Sequence, residues 1–412
     1  MPQEPTIGEN LARLRNQAGL TQEGLHRQSG VSLATIRMLE RNGRTTALMG
    51  TLSKLARALD VKPAALIGQP VAVHQEPDGV AEGVAVLRRA VHALEEVPGV
   101  HLQPPVHEAP SLDDLGRTVE MLWKAYHDGR QAALIAGLPD LIDGAKAAAR
   151  ALHGPPSRQA HGYLSSAYQL AAHAAVHLAQ EDLARSALER AMANADRAED
   201  PVLLAAGCTG LSWVLLRQNE PALAGRLALA TADELDPRMS RSDYPALRMW
   251  GRLMLCAVTA ASRQEDYDTA RELLAAAQRC TAVIDDDATD YVYGGNYAFF
   301  GPSKIAMIGV EIAISQGQAS RALRLARGIT PSRRVPPIGR SRHLLDVAQA
   351  QTWEGQYSQA VATLTRVKAS TPEWMRYQVL ARVVVRQILD GRGRRRIEGL
   401  RPLAVHVNAL TG

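Results

Sequence analysis

The sequence predicts an all-α protein, in which a small N-terminal bundle of five short helices precedes a long α-solenoid of paired helices. Apolar residues make up 46% of the chain but aromatic residues only 4%, which favours closely packed Ala/Leu helices over a β-sandwich. Apolar residues recur at helical spacing from about Ser111 to Leu389. Because domains run to about 100 to 200 residues, a chain of 412 residues should contain two or three.

Residues 1–68 show helix signals in quick succession and predict five short helices. Ile7, Leu11 and Leu14 repeat at the spacing of the first helix. The start and stop signals between and around the helices are Gly19, Thr21, Gly30, Ser32, Thr46 and Val61-Lys62-Pro63. With Gly30 between the second and third helices, the order predicts a helix-turn-helix arrangement.

Most of the excess positive charge lies in this domain. Residues 1–70 contain nine Lys or Arg against five Asp or Glu, an excess of +4, while the whole chain has +5. A locally basic small domain on a nearly neutral body is typical of nucleic-acid binding.

The segments LRNQAGLTQEGL, SGVSLATIRMLERNGR and LSKLARALDVKPAAL resemble the Cro/C1-type (Xre) helix-turn-helix family over residues 7–67. The resemblance implies that the domain binds a double-stranded DNA operator, with the third helix in the major groove. It also implies that Arg15 pairs with Glu40 and ties the first helix to the third. His26 stands where the family usually has alanine, so either the helices are slightly splayed or the imidazole lies at the edge.

Candidate DNA contacts follow from that docking. Arg37 is the best candidate for a bidentate guanine contact, whereas Leu33 and Ala34 can touch only apolar surface. The predicted base-reading residues are Leu33, Ala34, Arg37 and Met38. The predicted phosphate contacts, which position the domain without reading sequence, are Gln22, Ser32, Arg41, Arg44 and Thr45. Because few of these side chains discriminate bases, we expect a homodimer that reads two half-sites.

Residues 69–110 predict a linker that contains one amphipathic helix. Glycine and proline without periodicity fill GQPVAVHQEPDG, and a helix from about Val80 to Val97 follows before a second proline-rich break. Its apolar stripe, Val84, Leu87, Val91 and Leu94, must be buried. A partner subunit and the chain's own body are equally plausible as its contact.

Residues 111–390 predict a helical repeat with a polar turn inside each unit. The turns AQEDLARSA, RQNEPALA, RQEDYDTA, SQGQASRA and WEGQYSQA place a small residue near the start of each second helix. Those small residues are Ser186, Ala224, Ala270, Ala322 and Ala360. A pair of helices around Leu115–Leu152 predicts a sixth unit. The body resembles a degenerate tetratricopeptide (TPR) solenoid, with units longer than the usual length of about 34 residues, and residues 391–412 predict a basic C-terminal tail.

The two halves together resemble actinobacterial Xre-type regulators with a TPR-like C-terminal region, on the stretches LWKAYHDGRQAALIAGLPDLI, YGGNYAFFGPSKIAMIGVEIA and HLLDVAQAQTWEGQYSQAV. The architecture is also similar to that of peptide-sensing regulators of Gram-positive bacteria. These resemblances imply transcription regulation by a dimer that senses a signalling peptide, as in quorum sensing, or a small-molecule effector. The alternative is a DNA-tethered TPR scaffold that recruits a protein partner without a diffusible ligand. A closed, aromatic-lined pocket would favour a small ligand, and an open, charged groove would favour a peptide tail.

Candidate ligand-binding residues come from two sources. The segment DDDATDYVYGGNYAFFGP, residues 285–302, holds both phenylalanines of the chain and predicts an aromatic loop that grips a ligand or, alternatively, fills a gap in the solenoid. Polar residues of the body can also face the concave surface. The candidates are Gln169, His173, Asn194, Arg248, Trp250, Tyr291, Tyr293, Asn296, Tyr297, Phe300 and Lys304. The spacing of His173 and His177 permits zinc, but no third ligand stands nearby, and we expect no metal site.

Several other classes of protein are not supported by the sequence. No P-loop, G-x-S-x-G or H-E-x-x-H motif occurs, so we expect neither an enzyme nor a cofactor. Cys208, Cys256 and Cys280 lie far apart and predict no disulfide framework. No apolar run is long enough to span a bilayer, and the first residues do not resemble a signal peptide. We therefore expect a cytoplasmic protein without a membrane partner.

Overall fold

The protein, in a computed structural model, is described over residues 6–41, 47, 49–61, 65–66, 80–93, 109–235, 244–284, 291–292, 295–296, 299–329, 334–391 and 396–409. Helices account for most of these residues. The β structure in these ranges is one short antiparallel pair, Tyr291–Val292 with Gly295–Asn296. The predicted all-α class is confirmed. No helix in the described ranges combines the length and apolarity needed to cross a bilayer.

The N-terminal domain begins with helices whose ends are set by local signals. The helices are α1 (Ile7–Gln17), α2 (Gln22–Ser29), α3 (Leu33–Glu40) and α4 (Met49–Ala58). The side-chain oxygens of Thr21 and Ser32 accept backbone N–H groups in the first turns of α2 and α3, as predicted. Gly30 has a φ of 68° between these helices, a conformation that glycine adopts at least cost. The predicted Thr46 cap and most of the fifth helix lie outside the described residues.

Helix α5 (Val80–Val91) packs against the chain's own body. Leu87 and Val91 are fully buried in the main core cluster. Lys146 Nζ donates a hydrogen bond to the carbonyl of Ala90 at 2.8 Å, and Arg88 forms a 2.7 Å ion pair with Asp182. The sequence left open whether this helix contacts a partner subunit or the chain's own body. The described residues show the contact with the body.

In its described residues, the body has six consecutive helix pairs followed by three shorter helices. The pairs are α6 (Leu112–His127) with α7 (Gln131–Ala151), α8 (Pro155–His177) with α9 (Glu181–Arg197), α10 (Pro201–Arg217) with α11 (Pro221–Leu235), α12 (Tyr244–Arg263) with α13 (Tyr267–Arg279), α14 (Pro302–Ser315) with α15 (Ala319–Arg327), and α16 (Pro337–Trp353) with α17 (Tyr357–Ser370). The chain then forms α18 (Pro372–Arg376), α19 (Val379–Leu389) and α20 (Leu400–His406). The predicted solenoid, including its sixth unit, is confirmed.

The turn inside every pair has the same geometry. The residue two positions before each second helix has a positive φ, and these residues are Gly129, Ala179, Asn219, Glu265, Gly317 and Gly355. The fourth residue of the second helix is buried in each pair, and from the second pair onward it is alanine. These alanines are Ala184, Ala224, Ala270, Ala322 and Ala360. In the second pair the equivalent position is therefore Ala184, not the predicted Ser186, which is only half-buried.

The solenoid closes on itself. The first helices of successive pairs contact one another in order, and α16 contacts α6 to complete a ring. At the junction, the carboxylate of Glu373 accepts a 2.9 Å hydrogen bond from the backbone N–H of Ala132, in the first turn of α7. Gly129 leaves room here, since a Cβ at this position would lie 3.1 Å from Trp374 and 3.2 Å from Thr371. The concave side of the solenoid is thereby surrounded by a closed ring of helices.

The N-terminal domain docks on the body through α4. Lys54 Nζ lies 2.6 Å from Glu265 Oε2, and Asn219 Nδ2 donates to the carbonyl of Ser53 at 3.1 Å. Val379 and Val383 of α19 pack against the core of the domain.

The predicted basic tail contains a packed helix, since α20 buries Leu400 and Leu403 in a cluster shared with α17 and α19. The domain limits taken from the sequence stay predictions.

Candidate functional site

Helix α3 presents one face to solvent and one to the core. Ile36 and Leu39 are fully buried, while Ala34, Arg37 and Met38 are exposed. Leu33, at the start of the helix, is half-buried and lies beside this exposed face. The residues predicted to read bases therefore occupy the open side of the helix, which is the side that a major groove would meet.

A buried ion pair fixes the orientation of α3. Arg15 Nε and Nη2 donate to the two carboxylate oxygens of Glu40 at 2.7 and 2.9 Å, a bidentate arrangement. Gln22 Nε2 donates to the same carboxylate at 2.6 Å. Burial acts to raise the pKa of Glu40, but the hydrogen bonds from Arg15 and Gln22 and the charge of Arg15 lower it overall. The Arg15–Glu40 pair predicted from the resemblance is confirmed.

The predicted phosphate contacts are only partly described. Arg41 is exposed at the C-terminus of α3. Ser32 Oγ caps α3, and the Gln22 side chain is held by Glu40, so both also stabilise the domain. Arg44 and Thr45 lie outside the described residues. The imidazole of His26 is exposed, with Nδ1 2.8 Å from the carbonyl oxygen of Val31. The imidazole therefore lies at the edge of the domain, which is one of the two arrangements that the sequence allowed.

A cavity of about 260 Å³ lies inside the ring of the body. The first helices of all six pairs contribute to its wall. The lining side chains include Trp123, Tyr126 and His127 of α6, Gln169, His173 and His177 of α8, Thr209, Trp213 and Arg217 of α10, Arg252 of α12, Lys304 and Glu311 of α14, Arg342 of α16, and Trp374 of α18. A partly aromatic wall with a few polar groups is typical of small-molecule sites.

Stacked rings form the side of the cavity that α6 and α8 contribute. The rings of His173 and His177 stack on Tyr126, with centroids 5.1 and 5.7 Å away, and His127 stacks on Trp123 at 5.7 Å. Burial is the main cause that lowers the pKa of His173 to about 4 and of His177 to about 3. Both imidazoles are therefore neutral near pH 7.

Cationic side chains dominate the rest of the wall. Arg217, Arg252 and Lys304 come from three successive first helices. Burial, together with Arg252 and other nearby groups, lowers the pKa of Lys304 to about 8. Arg342 is paired with Asp346 at 2.6 Å.

A second cavity of about 160 Å³ lies between α4 and the body. Glu311 and Arg342 line both cavities. On the other side of the second cavity lie Ala47, Gly50 and Leu52 of the N-terminal domain. Two charged side chains thus separate the enclosed space of the body from the docking surface of α4.

Three of the predicted ligand residues, Gln169, His173 and Lys304, line the central cavity. The Gln169 amide also donates to the Leu203 carbonyl at 3.2 Å. Asn194, Arg248, Trp250 and Phe300 are not among the residues that line it. Asn194 is buried against His161 at 2.8 Å.

Arg248 and Phe300 belong to the protein core. Arg248 is 1% exposed, and its Nη1 donates to the Phe300 carbonyl at 2.7 Å. The Phe300 ring is fully buried. Trp250 packs against the main core cluster. The predicted ligand residues Arg248, Trp250 and Phe300 therefore pack in or against the core and do not line the central cavity.

The aromatic loop is described only in part. Tyr291 and Asn296 belong to the short β pair, and Tyr293 and Tyr297 lie outside the described residues. The sequence allowed this segment either to bind a ligand or to fill a gap in the solenoid, and Phe300 fills a gap. The ligand role stays a prediction for Tyr291, Tyr293, Asn296 and Tyr297.

Several cavity residues were not recognised in the sequence. The α6 residues Trp123, Tyr126 and His127 occur in the stretch LWKAYHDGR, Arg217 is the last residue of α10, and Arg252 lies in the middle of α12. The available signal was the recurrence of one basic residue on successive first helices. Among the described residues, no group of three or more His, Cys, Asp or Glu side chains is placed to hold a metal ion.

A helix-turn-helix family model matches residues 11–66. The uncharacterized HTH-type transcriptional regulator y4dJ of Sinorhizobium fredii (strain NBRC 101917 / NGR234) is 42% identical over 67 residues, which are 16% of this chain and 86% of that protein. The crystal structure of a Rap protein complexed with competence and sporulation factor covers 90% of this chain and 100% of its own, with 13% identity and a TM-score of 0.45. That structural likeness is too remote to bear on function.

Proposed function

The chain belongs to the helix-turn-helix transcriptional regulators, and from this premise we propose that it is a one-component regulator, not an enzyme. A dimer binds operator DNA in the cytoplasm. The body senses an effector, either a signalling peptide or a small metabolite, and the effector alters operator binding. A DNA-tethered scaffold that recruits a protein partner is the alternative.

The observation that carries the effector role is the wall between the two cavities. Glu311 and Arg342 face both the enclosed space of the body and the surface on which α4 docks. A ligand that displaces either side chain changes the packing below α4. A ligand shifts a conformational equilibrium only by its differential affinity for the two states, and this shared wall supplies a physical route for such a difference.

The closed ring of helices around the cavity favours a diffusible effector over a recruited protein tail. The contact of α16 with α6 and the hydrogen bond from Ala132 to Glu373 close the ring around it. A protein tail requires an open groove with both ends free, whereas a small ligand gains from burial of most of its surface. This geometry is the support for sensing over scaffolding.

The open face of α3 supports operator binding by a dimer. Arg37 is the one long polar side chain among the four predicted base-reading residues. One bidentate contact discriminates between bases by about 1 to 3 kcal/mol, which is little for a genomic operator. Two copies related by a two-fold axis would double the number of base contacts and fix the spacing between the half-sites.

Selection of duplexes from a random DNA library tests operator binding. We expect the full chain to enrich two half-sites whose centres are separated by about 10 base pairs or a multiple of it. The Arg37→Ala variant should lose preference at a guanine position in each half-site. Enrichment of no sequence would contradict specific regulation, and a single half-site would contradict the dimer.

Native mass spectrometry of the protein purified from its own host tests the effector. We expect additional mass on the protein, with an occupancy that changes when the selected duplex is added. A dimer without additional mass that binds the duplex would favour the scaffold, as would bound mass whose occupancy is the same with and without DNA.

A further inference from the structure

The central cavity contains more positive charge than its surroundings neutralise. Arg217, Arg252 and Lys304 are half-buried, and within the described part of the chain none of the three makes a hydrogen bond or an ion pair. The Nε atoms of both arginines are shielded from solvent and lack a hydrogen-bond partner there. Glu311 is the carboxylate among the lining residues.

The fourth cation does not change this balance. Arg342 is matched by Asp346, which accepts a 2.6 Å hydrogen bond from its Nη1. Burial raises the pKa of Asp346 to about 6, although Arg342 opposes the rise. Glu181 acts on Arg217, whose pKa it raises against the effect of burial, so Arg252 and Lys304 remain against Glu311, the carboxylate among the lining residues.

Cations without partners in an enclosed space are costly because water no longer solvates them fully. An anion that enters the cavity exchanges its own hydration for charge-assisted hydrogen bonds from guanidinium and ammonium groups. It would also favour the protonated form of Lys304. The cost is therefore relieved by a ligand with the opposite charge.

The aromatic part of the wall indicates what the other end of such a ligand packs against. The Trp123 and Tyr126 rings are perpendicular, with an interplanar angle of 88°, and their centroids lie 5.6 Å apart. His173 stacks on Tyr126 with an interplanar angle of 25°. Neutral rings of this kind pack against flat apolar surface by offset or edge-to-face contact.

We propose that the central cavity binds a small organic anion, a carboxylate attached to a flat ring, with the acidic group on Arg252 and Lys304 and the ring against the α6 and α8 aromatics. This inference rests on the proposed function, in which the same cavity holds the effector. It names the chemical class of that effector and favours a small metabolite over a peptide.

The dimensions support the small ligand. A cavity of about 260 Å³ lies near the lower end of the range for drug-sized ligands, about 300 to 1,000 Å³. An oligopeptide would need a longer space with an exit for its chain.

Isothermal titration calorimetry on the full chain tests the inference with two probes of the same shape, 2-naphthoate and its neutral amide, 2-naphthamide. We expect 2-naphthoate to bind and 2-naphthamide to bind about tenfold more weakly or not at all. Equal affinities for the acid and the amide would overturn the proposal, and so would a failure of 2-naphthoate to bind.

Two variants test whether Arg252 and Lys304 hold the acidic group of the ligand. Arg252→Met and Lys304→Met should each weaken 2-naphthoate binding by about tenfold and leave 2-naphthamide unchanged. If one variant does not fold, the other carries the test. Arg226→Met on α11 is the matched control, because Arg226 is exposed on the outside of the body. Unchanged 2-naphthoate binding in a folded Arg252 or Lys304 variant would contradict the assigned position.

The outcomes separate this inference from the proposed function. If 2-naphthoate binds as expected but operator affinity stays constant while other ligands also have no effect, the effector role fails and the anion site stands. If the native mass spectrum shows a bound oligopeptide that alters operator binding, the anion site fails and the effector role stands.

Discussion

Lys54 of the DNA-binding domain and Glu265 of the body form an ion pair, with Nζ 2.6 Å from Oε2. The two residues are far apart in the chain. Glu265 is held in the turn between α12 and α13 with a φ of 63°, so its side chain is presented at a fixed place. This pair and the hydrogen bond from Asn219 to Ser53 link α4 to the repeats.

Charge reversal at this contact should be partly rescued by the opposite reversal. We expect Lys54→Glu and Glu265→Lys each to lower the free energy of unfolding. The double variant should recover about 0.2 to 1 kcal/mol relative to the sum, because both side chains are substantially exposed and solvent screens them. Urea unfolding of the four proteins measures this coupling. Strict additivity would show that the pair does not contribute to docking.

The two exposed arginines at the end of α3 should differ in their effect on DNA binding. Arg37→Ala should weaken binding to the selected operator by about 1 to 3 kcal/mol and relax its specificity. Arg41→Ala should weaken binding to all duplexes. It should also reduce the slope of log K against log salt concentration by about one, because one phosphate contact is lost. Titration of specific and scrambled duplexes at several salt concentrations separates the two roles. Similar losses of specificity in both variants would contradict the assigned docking.

The DNA-binding domain was predictable because its signals are local. Thr21, Gly30 and Ser32 set helix ends within a few residues of themselves, and the same local patterns predicted which side of α3 is exposed. Arg15 and Glu40 are distant in sequence, and that pair was predicted only from the resemblance to a family.

The cavity was less predictable because it depends on ring closure. Trp123 and Trp374 line one space although a long stretch of chain separates them, and no periodic pattern indicates that α16 meets α6. The conspicuous aromatic segment also misled the prediction for Phe300. The unusual composition identified a segment of large side chains. The burial of the Phe300 ring, however, depends on Gly251, which lies on α12.

The buried imidazoles should make the chain less stable in acid. Burial, Arg252 and His127 lower the pKa of His173, and burial, His173 and Arg217 lower that of His177. Since an unfolded histidine has a pKa of about 6.5, the unfolded chain takes up these protons first. Stability is therefore present above pH 6.5 and is lost as the pH falls towards 4.

Phenylalanine at either position should reduce this pH dependence. We expect His173→Phe and His177→Phe each to lower the slope of unfolding free energy against pH, by up to about 1.4 kcal/mol per pH unit for one proton. Tyr126→Phe is the control, since it alters the same stack without removing an imidazole. Slopes equal to that of the unmodified chain in both histidine variants would show that these groups do not cause the acid sensitivity.

Two glycine substitutions should have opposite effects. A Cβ at Gly251 would lie 2.3 Å from Phe300 Cζ, inside the fully buried core, so Gly251→Ala should destabilise the protein by about 1 to 3 kcal/mol. Gly309 lies within α14, and nothing lies within 4 Å of a Cβ built there. Gly309→Ala should be neutral or stabilise by up to about 1 kcal/mol, because alanine favours a helix. Urea unfolding measures both changes, and equal effects would contradict the close contact of Gly251 with Phe300.

Ring closure should depend on Glu373. Its carboxylate accepts the N–H of Ala132 at 2.9 Å, and Arg130 at the N-cap of α7 makes no side-chain cap hydrogen bond. Glu373 of α18 thus satisfies a backbone group at the start of a helix from the opposite end of the body. Loss of such a capping acceptor costs about 0.5 to 2 kcal/mol.

We therefore expect Glu373→Ala to speed amide hydrogen exchange in the first turn of α7 and at α18, while exchange in α10 and α12 stays unchanged. Glu373→Gln keeps an acceptor oxygen and should lose less protection. Glu272→Ala, at an exposed position on α13, is the control for removal of a carboxylate. Unchanged exchange in Glu373→Ala would show that the helix contacts between α6 and α16 close the ring without this hydrogen bond. Faster exchange confined to the junction would show that the enclosure of the cavity depends on Glu373.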